Sequence, residues 1–124
     1  MSELLIRNLQ RVRPLNLPLL RRITQGLLQD RLKQNRFELG IHLVGATIMA
    51  RLNKEFLNHT GSTDVITFDH TADGETGTLY GEIFICVDDA VAQARQFGTT
   101  WQSELVRYVI HGILHLRGYD DLSP

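Results

Sequence analysis

Asp64-Val65-Ile66-Thr67-Phe68 and Tyr80-Gly81-Glu82-Ile83-Phe84-Ile85-Cys86-Val87 decide the fold class. Both stretches are rich in β-branched and aromatic residues and read as strands. Between them, Asp69 to Thr78 is rich in Gly, Thr and Asp and has no apolar period, so it reads as a loop. Two strands therefore follow one another with no helix between them. Upstream, Leu4 and Ile6 suggest a short first strand. Asn16 can cap a helix with Pro18 in its first turn, and Leu20, Ile23, Leu27 and Leu28 keep helical spacing to about Lys33. Phe37, Leu39, Ile41 and Leu43 alternate as a strand with one buried face, and Ile48, Leu52 and Phe56 lie four apart on a second helix. Downstream, Asp88 or Asp89 can cap a third helix that stops at Gly98. Thr99 and Gln102 fit a capping box opening a fourth, which runs to about Leu116. The order is βαβαββαα. It predicts an α+β fold, about four helices on a small mixed sheet of about four strands, rather than a doubly wound one.

The length suits a single domain over residues 1–124. Apolar residues make up 43% and charged residues 22%, the balance of a globular protein. No stretch is long and apolar enough to span a membrane, and the start has neither the apolar run nor the charge pattern of a signal peptide. One cysteine, Cys86, excludes an internal disulfide; in an apolar strand it reads as a buried, inert thiol. A cytoplasmic protein is the expectation. The net charge of −1 hides an asymmetry. Residues 1–57 hold ten Lys/Arg and four Asp/Glu, a net of +6, and residues 58–124 hold three and ten, a net of −7. A basic half suits a phosphate backbone and an acidic half a cation, although such runs are more often solvated helix faces.

Chemistry concentrates in His111-Gly112-Ile113-Leu114-His115-Leu116-Arg117-Gly118-Tyr119-Asp120-Asp121. His111 and His115 are four apart on the last predicted helix, which puts both imidazoles on one face about 5–6 Å apart at Cβ. Two imidazoles so placed can grip one Zn²⁺. Gly118 can take a positive φ and turn the chain back, so that Asp121 can supply a third ligand. Two histidines and a carboxylate leave a coordination position open for water, as catalytic sites do. A lone histidine pair is a weak signal; the following glycine and carboxylate sharpen it. Ile110, Ile113, Leu114 and Val106 are expected to anchor this helix in the core.

His-Gly-x-Leu-His-Leu-x-Gly-Tyr-Asp at 111–120 resembles the signature of the YbeY family. Leu52-Asn53 with Thr63-Asp64-Val65-Ile66-Thr67-Phe68, and Gly81-Glu82-Ile83-Phe84-Ile85-Cys86, resemble two further stretches of that family in the same order. The resemblance implies a zinc-dependent endoribonuclease acting in 16S ribosomal RNA maturation and ribosome quality control. Its implied partners are ribosomal RNA, the small subunit and ribosome assembly factors, with no DNA and no membrane. The chain departs from the family pattern where Asp121 replaces a third histidine, where Leu57 replaces an arginine, and where Glu82 replaces an aspartate. Carboxylate oxygen still binds zinc, with preference shifted toward harder ions such as Mn²⁺, whereas leucine cannot clamp a phosphate. The family usually continues into another helix beyond the position of Pro124.

The expected chemistry is metal-activated water attacking a phosphodiester, single-stranded RNA being the substrate. Asp64 and Asp120 are candidate partners orienting the histidines, though an aspartate at a strand start or turn as often bonds local backbone. Arg51, Lys54 and Arg117 are candidate RNA contacts or solvated charges. His42, His59 and His70 show no partner spacing and receive no role. Trp101 reads as a core anchor. A catalytically weak homologue that only binds the ribosome or assembly factors is the alternative. A zinc protease is weaker still, because Gly112 stands where such enzymes carry a glutamate base.

Overall fold

In a computed structural model that describes residues 2–74 and 76–118, the chain runs through β1 (Glu3–Asn8), α1 (Leu17–Gly26), β2 (Phe37–Val44), α2 (Ala46–Leu57), β3 (Val65–Asp69), β4 (Leu79–Cys86), α3 (Val87–Phe97) and α4 (Trp101–Leu116). This is the α+β order expected from the sequence. The strands form one sheet in the order β1-β2-β4-β3, with β1, β2 and β4 parallel and β3 antiparallel to β4 at the edge.

Leu39, Ile41, Leu43, Ile83 and Ile85 face the main core, together with Leu20 and Leu28 of the α1 region, Ala90 of α3, and Leu105, Val109 and Ile113 of α4. A second cluster on the other face joins Val44, Ile66 and Cys86 to Met49 of α2. β2 is therefore buried on both faces, with only Glu38 of its residues exposed, rather than on the one face its alternation predicts. A parallel strand between two others is covered from both sides, and this overrides the sequence pattern.

Local chemistry explains the ends. Asn16 Oδ1 accepts from Leu19 N at 3.0 Å, as expected of an N-cap. α1 gives way to a π-helical turn over Leu27–Arg31, closed by Leu32 N donating to Leu27 O. Asp88 does not cap α3. Its Oδ2 accepts from Ala46 N and caps α2, whose own N-cap is Gly45 and offers no side chain. The cap of α4 is Thr100, one residue later than expected, accepting from Ser103 N at 3.1 Å. On α2 the buried positions are Met49 and Asn53, and Ile48 and Phe56 of the apolar stripe are exposed. Trp101 is half-buried against the main core.

α4 lies close on β4 because two glycines permit it. A Cβ at Gly112 would meet Ile83 Cγ2 at 2.7 Å, and one at Gly81 would meet Phe68 O at 2.7 Å and Leu116 Cδ2 at 2.9 Å. Position 112 thus faces the core, not solvent, so no side chain there could serve a site on the helix's other side. Gly112→Ala is expected to destabilise the fold by about 1–3 kcal/mol through overpacking. The loss is measurable as a lowered urea midpoint with an unchanged slope.

Candidate functional site

His111 and His115 project from the C-terminal half of α4 into one cleft of about 380 Å³, walled by Leu57, Thr63, Asp64, Val65, Ile66 and Thr67. His111 is half-buried and His115 exposed. α4 is anchored beneath them by Leu105, Tyr108, Val109, Gly112, Ile113 and Leu116. Ile113 is among the expected anchors, whereas Val106, Ile110 and Leu114 are only partly buried. The last turn of the helix carries His115, where the macrodipole presents its negative end and favours a cation. Gly118 has φ +97°, and its N–H closes the helix on His115 O at 3.0 Å, as the turn-back reading requires.

The wall opposite the histidines is the start of β3. Asn53, in the Leu-Asn pair of α2, donates from Nδ2 to Gly61 O at 2.9 Å and ties the incoming loop to the helix. Asp64 lines the cleft, and its Oδ1 accepts from Val65 N at 2.8 Å and Thr63 Oγ1 at 3.4 Å. It therefore bonds local backbone while sharing a cleft with both histidines. Asp69, at the far end of β3, was not singled out from sequence. Thr71 holds its carboxyl below the usual range by hydrogen bonding, with His70 and His115 acting in the same direction.

Among the described residues no three His, Cys, Asp or Glu side chains are grouped to hold an ion. Asp121, the expected third ligand, and Asp120 lie outside those residues. Arg51, Lys54 and Arg117 do not line the cleft. Arg51 is exposed, Lys54 Nζ donates to Asn58 Oδ1 at 3.3 Å, and Arg117 Nη1 reaches Leu32 O at 3.4 Å. Leu57 is a cleft residue, so an apolar side chain occupies the wall where the family pattern has arginine.

Two histidines with no spacing signal are joined through Glu82. Arg7 Nε donates to His42 Nδ1 at 2.8 Å, and His42 Nε2 meets Glu82 Oε1 at 2.9 Å. Glu82 Oε2 meets His70 Nε2 at 3.1 Å. Nδ1 accepts from an arginine, so His42 is neutral, with its proton on Nε2 facing Glu82. Burial chiefly lowers the His42 pKa, partly opposed by the Glu82 hydrogen bond. His70 chiefly, and then His42, hold Glu82 below its usual range against its own partial burial. Strand registers bring these side chains together: β1 on β2 pairs Arg7 with His42, β2 on β4 pairs Gly40 with Glu82, and β3 on β4 pairs Phe68 with Glu82 and so brings up His70. Cys86 is buried, and burial pushes its thiol up to about 12, leaving it unreactive.

Fold and cleft define a class: an α+β protein whose helix beneath a sheet edge carries a His-x-x-x-His pair on an open groove. A family model described as "Endoribonuclease YbeY" matches residues 6–124. The chain belongs to the YbeY family. It is similar to the endoribonuclease YbeY of Chlorobaculum parvum, 44% identical over 80 residues, which are 64% of this chain and 55% of that one. It is also similar to that of Geobacter metallireducens, 35% identical over 119 residues, 93% of this chain and 78% of the relative. The solution structure of TM1509 from Thermotoga maritima superposes with a TM-score of 0.64 at 33% identity, covering 94% of this chain and 74% of the other. The chain spans between about half and two thirds of the length of several curated relatives it matches. No described helix is long and apolar enough to cross a membrane.

The burial of His42 and the bridging of Glu82 between two histidines make stability pH-dependent. The unfolded chain takes up a proton on His42 near the ordinary value of 6.5, and the folded chain resists it. The unfolded state then binds more protons, so stability falls as pH drops below about 6.5. Glu82, held below its ordinary 4.5, has the same sign and extends the decline below that value. Urea midpoints from pH 7 to pH 3.5 are expected to fall throughout, and Glu82→Gln is expected to lose the lower part of the decline while keeping the upper part.

Proposed function

We propose that the chain is a metal-dependent endoribonuclease that cuts single-stranded ribosomal RNA during 16S maturation and ribosome quality control. One divalent ion, Zn²⁺ or Mn²⁺, would be held by His111, His115 and Asp121. The observation that carries this reading is the opening of both imidazoles into one cleft at the negative end of α4. Two imidazoles suit a borderline ion such as zinc. When bound, the ion would lower the pKa of a water and offset charge on a phosphate oxygen.

The chain's own residues prepare that chemistry in three ways. The anchored α4 fixes the main-chain positions from which both imidazoles enter the cleft. The Thr63 and Thr67 hydroxyls on the opposite wall can bond a ribose or phosphate oxygen. Asp64, with Oδ1 engaged by Val65 N, keeps lone pairs for a water or a histidine N–H. Gly112 has no proton to move and faces the core, which disfavours a peptidase reading. Arg51, Lys54 and Arg117 would contact RNA, if at all, outside the cleft.

Among the described residues no lysine or arginine lines the cleft, and Leu57 stands on its wall; this favours a second reading. The chain would bind the small subunit or assembly factors with little catalysis of its own. Elemental analysis of wild type beside His111→Ala and Asp121→Ala separates the readings. One equivalent of zinc is expected in wild type and loss in both variants. RNA cleavage that needs the ion and disappears in His115→Ala supports the nuclease. A wild type that stays metal-free when zinc is supplied supports the binding-only homologue, and cleavage surviving His115→Ala overturns the metal mechanism.

A further inference from the structure

β3 is the edge of the sheet, and the cleft lies along its free side. Ile66 lines that cleft, yet its side chain is buried in the cluster on the opposite face of the sheet. What Ile66 contributes to the wall is therefore main chain, so the backbone edge itself borders the groove.

The direction of each main-chain group follows from the pairing. Cys86 N donates to Asp64 O at 2.9 Å, and His70 N donates to Tyr80 O at 2.9 Å. In an antiparallel ladder, hydrogen-bonded positions alternate with outward-facing ones. Residues 64, 66, 68 and 70 thus bond β4, and the N–H and C=O groups of Val65, Thr67 and Asp69 point away from it. Val65 N is taken by Asp64 Oδ1 at 2.8 Å. Thr67, the middle residue of β3 and the last of its residues to line the cleft, presents a donor and an acceptor side by side. The strand reads Val65-Ile66-Thr67-Phe68-Asp69 and carries neither the lysine nor the proline that commonly blunts an edge.

We propose that the free edge of β3 binds an extended, lysine-containing peptide segment of a protein partner, which adds to the sheet as a further strand over the histidine cleft. Two observations select this occupant. Outward acceptors at every second residue, roughly 6.8 Å apart, with the Thr67 N–H as a donor beside its own carbonyl, match a polypeptide main chain, which carries both at that repeat, whereas phosphate groups only accept. The charges beside the edge are also acidic: Asp64 lines the cleft and Asp69, its carboxylate bonded by Thr71, ends the strand, with no lysine or arginine among the described lining residues. A lysine side chain on the added strand finds a carboxylate partner there. This binding needs neither the ion nor cleavage, and a seated strand would close the cleft to any other polymer.

The test titrates the ¹⁵N-labelled full chain with an acetylated, amidated heptapeptide of alternating lysine and valine. Parallel titrations use the same peptide with alternate amides N-methylated, and a short oligouridylate. Shifts centred on Thr67 and the cleft histidines are expected, with slowed exchange of the Thr67 amide and binding about tenfold weaker for the N-methylated peptide. Thr67→Pro is expected to fold, because an outward edge position gives up no sheet hydrogen bond, and to lose the peptide. Three outcomes overturn the proposal: no shifts along β3, equal binding by the N-methylated peptide, or protection of Thr67 by oligouridylate and not by peptide. The zinc content measured on the same sample reports separately on the nuclease reading.

Discussion

The close approach of α4 to β4 governs the rest of the molecule. Gly112 lies against Ile83, and Gly81 lies beneath Leu116 and beside the Phe68 carbonyl, with no space for a methyl group at either glycine. This contact sets the height of the helix under the sheet and, with it, the depth of the groove between α4 and β3. His111 lies one residue before Gly112 and His115 three after it, so their positions follow from the same packing. Interiors packed at crystal density transmit such constraints, and a shift of helix height would move both imidazoles relative to Asp64 and Thr67 together.

The two faces of the sheet serve different ends. The face under α4 is apolar almost throughout and provides rigidity. The opposite face is closed by α2 at the Cys86 end, and toward the other end it carries Arg7, His42, Glu82 and His70. His42 is 2% exposed, and its burial is tolerated because both ring nitrogens are bonded. His70 begins the segment leading to β4, so the Glu82 bridge ties that segment down beside the end of β3. The acidic excess of the second half of the chain is thus neither all solvated surface nor all cation site. Glu82 is an internal tie, Asp88 is a cap for a distant helix, and Asp64 and Asp69 frame the groove.

Much of this was legible in the sequence. Element order, the fold class and the helix bearing the histidine pair followed from periodicity and turn residues, because these signals are local. Thr100 in place of Thr99 as a cap is the usual one-residue uncertainty where two β-hydroxy residues are adjacent. The errors of substance are tertiary. The alternation of β2 could not reveal that α2 at one end and the Arg7–His42–Glu82 chain at the other cover its second face, and the apolar stripe of α2 could not reveal that the helix rolls to bury Met49 and Asn53. Asp88, read as its own helix's cap, serves α2 across 42 positions of sequence. His42 and His70 gave no spacing signal because Glu82 joins them through strand register. Asp120 and Asp121 lie outside the described residues, so the third ligand rests on the sequence reading.

The strand order carries a consequence for synthesis. β4 sits between β2 and β3, yet it is the last strand to be made. As the chain leaves the ribosome, β1 and β2 emerge with partners on one side only, and β3 has none until residues 79–86 follow. A nascent intermediate therefore displays the unpaired edge of β2 while residues 45–86 are made, about a third of the chain, and the segment that carries it, residues 1–57, is basic. Charge repulsion among such segments opposes their association during that interval. The histidine helix emerges after β4, so the groove takes shape only when the sheet it borders is already complete.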